Sequence, residues 1–152
     1  MKTLVGYHGT NAVIKSVDSI VIDFKSSHQF YGPAFYIALD RELAENFGEK
    51  IYKISFAVDA LFKVDTHLQV GTFGLFKHFL NHIREEKFDL GWSETKIDNY
   101  IENNQDKFLQ EYIEIQKEIR DDFAPDYDGI LDNNQVAVFF PQKVIQSFQR
   151  VV

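Results

Sequence analysis

The chain has 152 residues, a mass of 17.7 kDa, a net charge of −7 and no cysteine. That length buries roughly 68–70% of its unfolded surface in one core. With 45% hydrophobic and 26% charged residues, composition excludes disorder. The missing cysteines exclude disulfide scaffolds and thiol nucleophiles. No apolar run approaches the ~18 residues of a membrane span, and the N-terminus lacks a signal-peptide stretch, so a cytoplasmic protein is expected. Residues 85–128 hold 14 acidic and 5 basic residues, the rest 9 and 11. So acidic a segment repels a phosphate backbone and disfavours non-specific nucleic-acid binding.

In chain order, residues 3–8 read as a strand ending at Gly9-Thr10. Gly32-Pro33 introduces a short apolar strand over 34–39, and Asp40 then caps a helix running through Phe47, with Gly48 as its stop. Residues 50–58 alternate, with Tyr52, Ile54, Phe56 and Val58 on one face, as in a half-buried strand. Leu75, Phe76, Phe79, Leu80 and Ile83 hold helical spacing. So do Ile97, Ile101, Phe108, Tyr112, Ile115 and Ile119, in a longer stretch starting near Ser93, with Asn104 as a polar member of the seam. Two helices over residues 72–123 are therefore expected. Asp126 to Gly129 and Asp132-Asn133-Asn134 read as turns, residues 135–140 as a strand stopped by Pro141, and residues 144–152 as a final strand. The pattern is strand-rich, helical, strand-rich: one α+β domain with a helical insertion.

Three short segments carry groups able to do chemistry. Tyr7-His8-Gly9-Thr10 puts an imidazole and a hydroxyl beside a glycine that lets a ligand approach the backbone; alone, it also reads as a turn with a hydrogen-bonded histidine. Tyr36 and Phe47 stand 11 positions apart across a strand–turn–helix unit. Folded back, their rings would form a slot for a flat cationic heterocycle, although either ring could equally be core. Gln135 opens the strand Val136-Ala137-Val138-Phe139 and places a polar side chain at its mouth. His78 and His82 are spaced i, i+4, but Phe79 stands where a zinc-protease motif has its glutamate, so no metal is expected. Trp92 reads as a packing or interface residue.

Taken together and in this order, the three segments resemble the ADP-ribosyltransferase superfamily, in its His-Tyr-Glu branch of diphtheria toxin and the poly(ADP-ribose) polymerases. The resemblance covers about residues 3–58 and 127–152 and leaves the middle unaligned. It implies an ADP-ribosyltransferase-like split pair of antiparallel β-sheets holding NAD in an open cleft. His8 matches the histidine that bonds a ribose hydroxyl, and Gly9 the glycine whose backbone grips the nicotinamide carboxamide. Thr10 matches the adjoining hydroxyl residue, Tyr36 the motif tyrosine, and Phe47 the second ring of the slot. Ala44 falls where the polymerases carry a serine, which the toxin-like members do without.

Gln135 stands where the branch has its catalytic glutamate, so a hydrogen-bond acceptor remains and a full negative charge is lost. The implied activity is mono-ADP-ribosyl transfer from NAD to a macromolecule with release of nicotinamide, as in a small bacterial or phage toxin acting in the cytoplasm or delivered into a target cell's cytosol. Chain elongation is not expected. Asp128 or Asp132 could supply the missing carboxylate. The alternatives are an NAD glycohydrolase and a catalytically weak module that binds NAD or a partner. A protein acceptor is favoured over nucleic acid, an antitoxin is one candidate partner, and no membrane is involved. The acidic insertion reads as scaffolding or as a surface for a basic protein.

Overall fold

A computed structural model describes residues 1–22, 34–63, 76–132 and 134–152. Gly32, Pro33, Leu75 and Asn133 lie outside the described residues, as do the side chains of His78 and Ile119. The architecture is α+β. Seven strands lie in the order β4-β5-β6-β2-β1-β3-β7. They are β1 (Lys2–Thr10), β2 (Phe35–Ala38), β3 (Lys50–Val58), β4 (Leu61–Lys63), β5 (Gly129–Leu131), β6 (Gln135–Val138) and β7 (Ile145–Arg150). The helices are α1 (Arg41–Glu45), α2 (Phe76–Asp89), α3 (Glu94–Asn103), α4 (Gln105–Phe123) and α5 (Pro141–Val144). No helix among the described residues is long and apolar enough to cross a membrane.

Two half-sheets meet in the middle. β1 pairs with β3 along nine residues, from Lys2↔Val58 to Thr10↔Lys50, and β3 with β7. On the other side, β2 pairs with β6 from Phe35↔Val138 to Ala38↔Gln135, and β6 with β5. The halves join at one register pair, Tyr7↔Ala38. One contact departs from the expected antiparallel pairing: β4 runs parallel to β5.

The alternation in β3 is realised as a core face. Tyr52, Ile54, Phe56 and Val58 are buried, and they pack with Phe35, Ile37, Val136 and Val138 from the other half. Each fully buried side chain of this kind contributes about 1.5–3 kcal/mol. The Tyr52 hydroxyl stays satisfied by accepting the Ile14 N–H at 2.9 Å. On the opposite face, Ile130, Ala137 and Phe139 pack under Phe123 and Tyr127, where α4 returns to the sheet. Ala38, Ala44 and Ile51 form a smaller cluster beneath α1.

Among the described residues, three helices rather than two make up the inserted unit. Ser93 caps α3 by accepting the Lys96 N–H at 3.2 Å. The apolar seam is then broken at Asn104. Its side-chain amide donates to the Tyr100 carbonyl at 2.8 Å, and its backbone N–H turns to Ile101. A local side-chain bond thus takes the place of a helical one. The two helices can fold together, and Ile97, Ile101 and Phe108 pack with Ile83 of α2. Ile115, expected on the buried seam, is 41% exposed. Trp92 packs edge-on against Tyr100 and lies beneath the ammonium groups of Lys87 and Lys96.

α1 starts as expected, with Asp40 accepting the Glu42 N–H at 3.0 Å, but it stops at Glu45 instead of Phe47. Gly48 is required for closeness: a Cβ there would overlap the Thr10 backbone. After β6, which ends before Pro141 as expected, the chain makes the short α5, which the sequence did not announce, and β7 follows within the expected span 144–152.

Candidate functional site

A cleft of about 440 Å³ opens where β1 and β2 part beyond Tyr7↔Ala38. His8, Gly9, Thr10, Tyr36, Phe47 and Gln135 all line it. The six residues come from four separated segments, and the fold brings every one to the same hollow.

Backbone direction explains why the parted strands make a binding surface. Ile51 sends its N–H to the Val152 carbonyl and receives the Val151 N–H, so both its polar groups face the β7 side. Gly9↔Ile51 is therefore a non-hydrogen-bonded pair of the β1–β3 ladder, and the N–H and C=O of Gly9 face the other way, toward β2. On β2, Leu39 donates to Asn134 beside β6. By alternation, Ala38 and Tyr36 turn their polar groups toward β1. Tyr7 and Ala38 meet; Gly9 and Tyr36, one step further, do not pair. A donor and an acceptor of Gly9 are thus aimed into the cleft. Gly9 has no substitute here, since a Cβ would overlap the Ala44 carbonyl oxygen.

His8 spans the gap. Its Nδ1 lies 2.7 Å from the Tyr36 carbonyl oxygen. A carbonyl only accepts, so Nδ1 carries the proton and Nε2 holds the lone pair. Burial lowers the His8 pKa; the bond to Tyr36 opposes that shift but is the smaller effect. The ring is neutral at pH 7, and its free nitrogen is an acceptor. Phe35, buried in the core, stacks on the imidazole with centroids 4.2 Å apart and planes inclined by 27°.

The other side chains fit around this frame. The Thr10 hydroxyl accepts the Ala12 N–H at 3.1 Å and keeps its own proton to donate. Tyr36 packs against the Ile130 and Phe139 cluster while facing the cleft. Phe47 is 38% exposed at the rim. Gln135 is half-buried, and its backbone N–H is held by Asp132 Oδ1 at 2.7 Å.

The two substitute carboxylates are placed elsewhere. Asp128 Oδ2 accepts the N–H groups of Asp59 and Ala60, at 2.7 and 3.2 Å. Asp132 Oδ1 caps the turn into β6, taking the N–H of Asn134 as well as that of Gln135. Neither lines the cleft, and no Asp or Glu does among the described residues. On α2, His82 approaches Glu86 at 3.7 Å, and among the described residues no group of three metal-ligating side chains gathers.

Sequence reasoning missed part of the lining. Val13, Ile14, Ile20 and Val21 form an apolar wall beyond His8. Their spacing matches neither a helix nor a strand, so no periodic signal marked them. Phe35 sat inside a motif already singled out, yet its stack on His8 depends on strand register.

Comparison of the chain with known protein families, with curated proteins and with solved structures gives no match in any of the three.

Proposed function

We propose that the chain is an NAD-dependent mono-ADP-ribosyltransferase that passes ADP-ribose to a macromolecular acceptor and releases nicotinamide. The observation that carries this reading is the outward-facing backbone of Gly9 beside neutral His8, in a cleft that also holds Tyr36, Phe47 and Gln135. A carboxamide offers one acceptor oxygen and one donor amide. The N–H and C=O of a single residue answer both. The two half-sheets, whose one register pair among the described residues is Tyr7↔Ala38, support an ADP-ribosyltransferase-like reading of the fold.

The residues divide the work by their chemistry. The nicotinamide ring of NAD is a pyridinium cation, and the aromatic faces of Tyr36 and Phe47 suit it. Gly9 holds the carboxamide. His8 Nε2 accepts from a ribose hydroxyl, and Thr10 adds a donor nearby. As the glycosidic bond breaks, positive charge grows on the ribose. Only interactions that strengthen along that path speed the reaction. Gln135 offers a carbonyl dipole to the ribose hydroxyls at that point, in place of a charge. Its neutrality makes turnover slow or dependent on the acceptor, since charge-assisted hydrogen bonds are about twice as strong as neutral ones. The net acidity of residues 85–128 favours a basic protein as acceptor or partner.

A second reading is an NAD-binding module with little or no turnover. It is favoured by the absence of any carboxylate lining the cleft among the described residues. An NAD glycohydrolase would use the same site with water as acceptor. One experiment separates the three: purified protein, labelled NAD and a cell extract, with protease-treated and nuclease-treated aliquots. Nicotinamide release with label in a macromolecular fraction supports transfer, and the treatment that removes the label gives the acceptor class. Release without label supports hydrolysis. NAD binding without release supports the module.

A further inference from the structure

We infer that Phe35 is a positioning residue: its ring fixes the plane of the His8 imidazole, so that Nε2 is presented to the cleft in one tautomer and one direction. The inference rests on the proposed NAD site, where that nitrogen receives a ribose hydroxyl.

The bond from Nδ1 to the Tyr36 carbonyl, 2.7 Å long, ties down one corner of the imidazole. With the side chain tethered at Cβ, a single hydrogen bond still leaves the ring free to rock through coupled changes of χ1 and χ2. The Phe35 ring removes that freedom, lying 4.2 Å away and within 27° of parallel. Together the two contacts determine where Nε2 points. Both come from consecutive residues of β2, and strand alternation makes this economical. Tyr36 turns its carbonyl toward β1, while Phe35 places its side chain on the core face with His8. Phe35 cannot drift, because it is 6% exposed and packed with Ile37, Val136 and Val138.

The ring is also chemically silent. A phenyl group offers no competing donor to Nε2, and it keeps water from the imidazole face. The other titratable side chains lining the cleft among the described residues are Tyr7 and Tyr36, and neither is an acid or a base of the carboxylate or ammonium kind. Tyr52 lies across the ladder from His8, and its hydroxyl is taken up by the Ile14 N–H. The tautomer is therefore set by the carbonyl bond and the stack, and among the described residues no salt bridge to His8 forces it.

The test measures the imidazole nitrogens of His8 by nitrogen–proton NMR and, in parallel, titrates NAD into the protein. Wild type is expected to show a protonated Nδ1 and a bare Nε2. Phe35→Leu, which keeps apolar bulk and removes the flat face, is expected to give a tautomer mixture and NAD binding weakened about tenfold, the worth of one well-aimed hydrogen bond. Phe35→Tyr keeps the ring and should keep both signatures. Ile37→Ala loosens the same core cluster without touching His8; it should lower stability and leave the tautomer alone. A single unchanged tautomer in Phe35→Leu, or equal loss in Phe35→Tyr, overturns the inference. Wild type that shows the expected imidazole pattern and its response to Phe35→Leu, yet binds no NAD, would instead overturn the site's proposed ligand.

Discussion

On the proposed function, Gln135→Glu is expected to accelerate nicotinamide release. The substitution exchanges an amide nitrogen for an oxygen at constant shape. The site tolerates it: Gln135 is half-buried at the head of β6, and its fold contacts are made by its backbone, paired with Ala38 and capped by Asp132. No acidic side chain among the described residues lines the cleft to compete for the ribose, and neutral His8 adds no opposing charge. A unit charge about 5 Å from the growing positive charge, at an effective dielectric of about 20, is worth ~3 kcal/mol. Loss of a comparable transition-state stabiliser costs about 2.7–4 kcal/mol in other enzymes. A rise of roughly 10²-fold in the rate constant follows.

The assay is chromatographic measurement of nicotinamide released at saturating NAD from wild type, Gln135→Glu and Gln135→Ala. Binding is titrated separately, so that affinity and rate are not confused. Thermal melts check that the fold is retained. A Gln135→Glu variant that folds, binds NAD and releases nicotinamide no faster than wild type contradicts the electrostatic argument. It would mean that residue 135 does not face the reacting ribose.

Three further outcomes follow from the geometry. Gly9→Ala drives a methyl group into the Ala44 carbonyl and should cost about 1–3 kcal/mol of stability by urea unfolding, as overpacking does, with loss of NAD binding. Burial holds the His8 pKa below 6.5, so below that pH the unfolded chain takes up a proton that the folded chain resists; stability should fall as pH drops through 6.5 toward the folded pKa and then level off, and His8→Asn should remove this dip from a series of melts. Ser93→Ala removes the cap of α3 and should cost about 1 kcal/mol, read by urea unfolding, without changing NAD affinity.

The sequence by itself determined most strands and turns of both flanks, though not β4 or α5, because those it determined rest on short-range rules. Alternation fixes which face of residues 50–58 is buried, and Asp40, Ser93 and Asp132 satisfy N–H groups within three residues of themselves. The six candidate residues could be named from three short motifs and their resemblance to a family; that all six line one cleft is what the fold adds. Tertiary structure decided the rest, because the causes lie far apart in the chain. Whether the polar groups of Gly9 face a neighbour or a cleft depends on how Ile51 bonds to Val151 and Val152, some hundred residues downstream. The His8 tautomer and the direction of its Nε2 depend on the Tyr36 carbonyl and the Phe35 ring together, both carried by another strand. The seam through Asn104 had the right period for one long helix; a single side-chain bond to Tyr100 and the fit of Phe108 against Ile83 and Ile97 made it two. Periodicity reports which residues share a face; register and packing decide what that face meets.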